Sequence, residues 1–189
     1  IAGFGTVQIA ANGVANSLDS MGCIVGQAMN LAMITVIGRC VGAGDSGQVR
    51  HYTKKLLKIT YVCTFVVNSI ILLCLPWILK CYGLSTETTQ LSYILVMIHN
   101  GMAMFLWPAS FVLPNMLRAC NDVRFTMVLS IFSMFMFRIG FSYIIGVNMG
   151  YGAIGVWIAM VLDWIFRVIC FVSRYLSGHW LKTARLSER

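Results

Sequence analysis

Gln8-Ile-Ala-Ala-Asn12-Gly-Val-Ala-Asn16-Ser-Leu-Asp19-Ser-Met-Gly-Cys23-Ile-Val-Gly-Gln27-Ala-Met-Asn30 decides the fold. Its polar side chains, from Gln8 through Asn12, Asn16, Asp19, Cys23 and Gln27 to Asn30, recur at steps of four, four, three, four, four and three. At about 100° per residue they share roughly a quarter of a helix circumference. Ala10, Val14, Met21, Ile24, Val25, Ala28 and Ala32 take the rest. In water such a stripe would face solvent and mean little. In a bilayer it must face other helices or a wet cavity, because hydrocarbon offers no hydrogen-bond partners.

Composition settles which solvent applies. The 189 residues are 59% hydrophobic and 11% charged, and mean hydropathy is +0.81. A soluble domain carries about 25% charged and 45–50% apolar residues, so this chain cannot cover a water-facing globule. The seven cysteines show no CxxC spacing and lie mostly in apolar runs. They read as small hydrophobes in a reduced chain rather than a disulfide frame or zinc site. The chain begins at Ile1 without a signal peptide, so part of a longer polypeptide is expected.

A spanning helix needs about 20 apolar residues. Five stretches qualify, at about 7–37, 59–79, 91–117, 125–146 and 153–173. The first is longer than needed, so tilt or a bend is expected. Its Gly22 and Gly26 allow close helix approach. Between the first two spans, residues 46–57 read as a separate amphipathic basic helix at the headgroup surface. Val49, Tyr52, Leu56 and Ile59 form its apolar side. Pro108 and Pro114 predict a kink in the third span. The tail, 174–189, is basic and expected to fray. Lys and Arg alternate between rich and poor loops, which puts the amphipathic helix, the Arg118 turn and the tail in the cytoplasm and the amino end outside. The net charge of +8 thus belongs to the membrane surface, not to nucleic acid.

Within the membrane, Asp19 is a candidate proton or cation site and His99 a candidate proton gate. Gln8, Asn12, Asn16, Gln27, Asn30, Asn100 and Trp107 are candidates to line a cavity, with interhelical bonding as the rival reading of the stripe. Arg138, Asp163 and Arg167 read as a structural charge cluster, because a membrane carboxylate beside guanidinium groups stays ionised and paired. No metal or cofactor motif is present. HExxH, clustered acids and paired Cys/His motifs are all missing from a chain with three histidines, which argues against an integral-membrane enzyme.

Ile37-Gly-Arg-Cys-Val-Gly-Ala-Gly-Asp45, Leu113-Pro-Asn-Met-Leu-Arg-Ala-Cys-Asn-Asp122 and Gly152-Ala-Ile-Gly-Val-Trp-Ile-Ala159 together resemble the MATE (multidrug and toxic compound extrusion) family, most like its DinF-like branch. The resemblance implies an all-α integral membrane fold of twelve helices in two six-helix lobes. This chain then corresponds to most of the carboxy-terminal lobe, from the eighth helix to the twelfth. The implied function is secondary efflux of drugs or organic cations in exchange for Na⁺ or H⁺ by two rocking lobes, in a bacterial inner membrane. The partners it implies are the lipid bilayer, the amino-terminal lobe and this lobe's first helix. Two departures stand out. Asn121-Asp122 replaces the usual Gly-Asp, and the third span has His99 and Asn100 where some Na⁺-coupled members carry an acid. Alternatives are a flippase for lipid-linked saccharides of the same superfamily, or a truncated, non-functional fragment.

Overall fold

The computed structural model describes residue 3 and residues 5–186. They form five helices long and apolar enough to cross a membrane, Thr6–Gly42, Ser46–Cys81, Thr86–Ala119, Val123–Asn148 and Gly152–Leu176. We label α1 as Thr6–Gly42, α2 as Ser46–Cys81 and α3 as Thr86–Trp107. The third span ends in α4, Leu113–Ala119. The fourth opens with α5, Val123–Ser133; α6 is Gly152–Leu176 and a short α7 covers His179–Thr183. Helix α1 packs against α2, α3 and α4, and α3 packs against α6.

The stops and caps follow local chemistry. Gly44 takes a φ of +71 after α1, a conformation that costs glycine little. The Asp45 side chain accepts from Gln48 N–H at 3.0 Å and caps α2. Ser85 does the same for α3 through Thr88 N–H at 3.3 Å. Asn121, at φ +67, makes the turn before α5, which asparagine tolerates better than most residues.

Three expectations change. Residues 46–57 are not a separate surface helix. They are the first third of α2, which runs 36 residues without a break. Val49 is fully buried, and Tyr52 and Leu56 pack on the same core cluster, so this apolar side is covered by the lobe itself. Only Ile59 of the four stays exposed. Second, the proline-bearing span also widens where the kink was expected. Pro108 has no N–H for the carbonyl one turn back. From Pro108 to Val112 the chain is π-helical, and Leu113 N–H bonds to Pro108 O. Third, the tail does not fray within the described residues. Gly178, at φ +68, reverses the chain, and Trp180 and Leu181 insert into the core at 1% and 5% exposure. Arg174 clamps Asp122 through two bonds of 2.8 and 3.2 Å. Residues 187–189 of the expected tail lie outside the described residues.

The core comes in two apolar layers. One holds Ala11, Ala15, Leu18, Leu75, Leu95, Val96 and Trp157. The other holds Met33, Ile37, Val49, Ala103, Leu113, Trp164 and Phe171. On α1, α2 and α3 polar side chains separate them: Asp19 on α1, Thr64 and Asn68 on α2, His99 and Asn100 on α3. That stratum positions the site.

Candidate functional site

Asp19 and His99 face each other across α1 and α3. Asp19 Oδ1 lies 2.7 Å from His99 Nδ1. Asn100 Oδ1 lies 3.2 Å from the same nitrogen. Two acceptors converging on Nδ1 mean that this nitrogen carries the proton, because a lone pair there would repel both oxygens. The imidazole is held edge-on between Trp157 and Trp164, at centroid distances of 5.2 and 4.7 Å. The His99 side chain is 2% exposed and that of Asp19 25%. The pair thus joins a buried imidazole to a carboxylate that opens to the surface of the lobe. The Cys23 thiol donates to Asp19 Oδ1 at 3.4 Å, one turn along α1.

Why the sequence folds this way is visible in α1 and α3. Asp19 and Cys23 are four apart, so they stack on one face. On α3 and its continuation Ser92, His99, Ala103 and Ser110 share one face, and all four are buried. Ser110 Oγ donates to Trp164 O at 2.9 Å, which ties α6 to the π-helical turn and steadies the indole beside His99.

The stripe splits into two kinds of residue. Gln8 Oε1 accepts from Ala153 N–H at 2.7 Å. It thereby caps the amino end of α6, whose own N-cap makes no side-chain bond. Asn12 Oδ1 accepts from Trp157 Nε1 at 3.0 Å, and Asn30 Oδ1 from Asn115 Nδ2 at 2.8 Å. These bonds are interhelical. Asn16 and Gln27 are exposed. Asn12 and Asn16 also line a cleft of about 280 Å³ with Arg138, Ser142, Trp157 and Met160.

Two cavity candidates stand elsewhere. Trp107 is 7% exposed, with its ring lying where a side chain on Gly26 would sit. Gly22 likewise makes room for Asn68. The Gly-xxx-Gly pair therefore admits side chains from two different helices. Asn100 is 1% exposed. Its Nδ2 and Trp164 Nε1 have no protein partner among the described residues.

The expected three-member charge cluster reduces to two charges and a serine. Asp163, 1% exposed, pairs with Arg167 Nε at 3.1 Å and accepts a bond from Ser133. Arg167 also reaches Ser133 Oγ at 3.1 Å and Ser130 O at 3.3 Å. Arg138 stands apart, on the cleft. The reason is helical phase: Met134–Phe141 is π-helical, and the wider turn aims Arg138 differently from an α-helical count. Ser133 carried no sequence signal, because an isolated serine in an apolar run is common.

Five apolar spans, a buried polar stratum and helix-to-helix carboxamide bonds define a multi-pass α-helical membrane protein. The MatE family profile matches residues 1–144, and the chain belongs to that family. Probable multidrug resistance protein NorM of Thermotoga maritima is 22% identical over 184 residues, 97% of this chain and 39% of the relative. Uncharacterized transporter YisQ of Bacillus subtilis is 30% identical over 71 residues, 38% of this chain and 16% of the relative. The chain thus spans about two-fifths of NorM's length. No solved structure gave a significant match.

Proposed function

We propose that this chain is one lobe of a proton-coupled efflux transporter for organic cations, and that Asp19 and His99 form its coupling site. The observation that carries the reading is the 2.7 Å Asp19–His99 pair lying between the two apolar layers. With Asp19 ionised and His99 neutral, the pair has a net charge of −1; one added proton makes it neutral. A net charge is costly in an apolar stratum unless water or a counter-ion reaches it. The protonated lobe can therefore rock against its partner lobe, whereas the charged lobe waits for a proton or a cationic substrate. Asn100 Nδ2 in the same stratum, and Nε1 of Trp164, whose ring packs on His99 from the adjoining layer, are buried donors that support a wet or ligand-accepting site there. The cleft beside Asn12, Asn16 and Arg138 is the proposed approach to it. Coupling to H⁺ is favoured over Na⁺ because an imidazole N–H already holds the carboxylate. The setting we propose is a bacterial inner membrane, with the second lobe and the first helix of this lobe as partners.

The test uses the full-length protein in vesicles loaded with a fluorescent organic cation. An imposed proton gradient should drive efflux and a sodium gradient alone should not. Asp19→Asn should abolish proton-driven efflux and weaken binding of the cation, because it removes the negative charge that proton and substrate share. Unchanged proton coupling in that variant would remove Asp19 from the mechanism.

A further inference from the structure

The cleft beside Asn12 holds a charge that the lobe itself leaves unmatched. Asn12, Asn16, Arg138, Ser142, Trp157 and Met160 form its walls, and none of the lining residues is acidic. Arg138 sits well inside the Val123–Asn148 span and is exposed. Among the described residues it has no hydrogen-bond, ion-pair or ring partner. The intramembrane acids are engaged elsewhere, Asp163 with Arg167 and Asp19 with His99. Helix α6 runs about 28 Å from Trp157 to Leu176 before the chain turns into α7, so the cleft and α7 are at opposite ends of that helix. A guanidinium at this depth is costly without a counter-charge. Its partner must therefore come from outside these helices.

Resting on the reading of this chain as an efflux lobe for organic cations, we propose that the cleft seats a carboxylate of the substrate on Arg138, so that the exported cations also carry an acid group. The donors fit. A guanidinium holds a carboxylate through two parallel N–H bonds. Trp157 Nε1 can only donate, and it donates to Asn12 Oδ1 at 3.0 Å. That orients the amide, and its nitrogen, a donor, is what Asn12 has left to offer a ligand. The walls fit as well. The Trp157 indole and Met160 suit the aromatic or alkyl body behind an acid. At about 280 Å³ the cleft is near the lower edge of the roughly 300–1,000 Å³ of ligand pockets. An acidic side chain from elsewhere in the protein would satisfy Arg138 and leave most of that space unfilled. The seat also adjoins the Asp19–His99 pair. Trp157 is a wall of the cleft and packs edge-on against His99 at 5.2 Å. Asp19 follows Asn16 on α1 by about 4.5 Å of helix rise. A single ligand can thus put its carboxylate on Arg138 and its cationic end toward Asp19.

The experiment is fluorescence anisotropy of a matched pair of probes with the full-length protein in detergent. Rhodamine B is an organic cation with a free carboxylate; its ethyl ester is the same cation without the acid. Wild type should bind rhodamine B about tenfold tighter than the ester, the size expected of one charge-assisted bidentate contact. Arg138→Met should bring the two to equal affinity. Arg138→Lys, which keeps the charge and loses the fork, should keep a preference of about threefold. Asp19→Asn should weaken both probes and preserve their ratio. The readout needs no ion gradient, so proton coupling through Asp19 and the carboxylate seat stand or fall separately. Equal binding of acid and ester by wild type, or a preference that survives Arg138→Met, would overturn the proposal. So would loss of both probes in Arg138→Met with a melting temperature well below wild type, which assigns Arg138 to an ion pair with another part of the protein.

Discussion

Arg167→Met should be the most damaging single charge removal in this lobe. Asp163 is 1% exposed and its ion-pair partner is Arg167 Nε at 3.1 Å. The substitution removes that pair together with the bonds to Ser133 Oγ and Ser130 O. Breaking a buried pair from one side costs about 3–5 kcal/mol, because the remaining charge stays uncompensated. A kcal/mol moves the melting temperature by about 2–4 °C for a domain of this size, so a fall of about 6–20 °C is expected. Asp163→Asn in the same background should recover much of the loss, because it removes the stranded charge. Arg138→Met should leave stability within about 0.5 kcal/mol, since Arg138 is exposed on the cleft and outside the pair. The assay is thermal unfolding of the full-length protein, followed by size exclusion of the surviving fraction. If Arg167→Met melts with wild type, or Arg138→Met falls as far, the charge assignment derived from the π-helical phase is refuted.

Other perturbations separate packing from function. Gly26→Leu places its side chain in the Trp107 ring and should cost about 1–3 kcal/mol as overpacking, read by the same melting assay. Gln8→Ala uncaps Ala153 N–H and should cost about 1 kcal/mol, with faster hydrogen exchange confined to the first turn of α6. Burial, with the Asp122 charge adding to it, pushes the Cys120 thiol up to about 12 from 9.0. At pH 7.5 about a thousandfold less thiolate is then available, so maleimide should label exposed Cys81 long before Cys120. Between about pH 9 and 12 the folded state keeps this proton and the unfolded chain loses it, so stability should fall across that window. Cys120→Ala should flatten the fall in a pH series of melts.

The membrane fold was legible because it rests on composition and run length, which are local. Five runs of about 20 apolar residues in a chain 11% charged leave few other architectures. The candidacies of Asp19 and His99 were legible for the same reason: an ionisable group in an apolar run is noticeable alone. Their 2.7 Å pairing was not, since it depends on the relative rotation of α1 and α3. The stripe shows the limit well. Helical spacing puts Gln8, Asn12, Asn16 and Asn30 on one face, but only the neighbours decide that Gln8 caps α6, Asn12 holds Trp157 and Asn16 stays exposed.

Sequence by itself determined that hydrocarbon surrounds these helices, how many runs are long enough to span it, and which polar groups are candidates for partners inside. Tertiary structure alone decided who those partners are. Helical phase after a proline or a π-helical stretch accumulates over many residues, and a shift of part of a turn moves a side chain from one neighbour to another. Arg138 went to the cleft for that reason, whereas Asp163 and Arg167 meet as an i, i+4 pair within α6; Trp180 found its place under Arg50 only once Gly178 had turned the chain back.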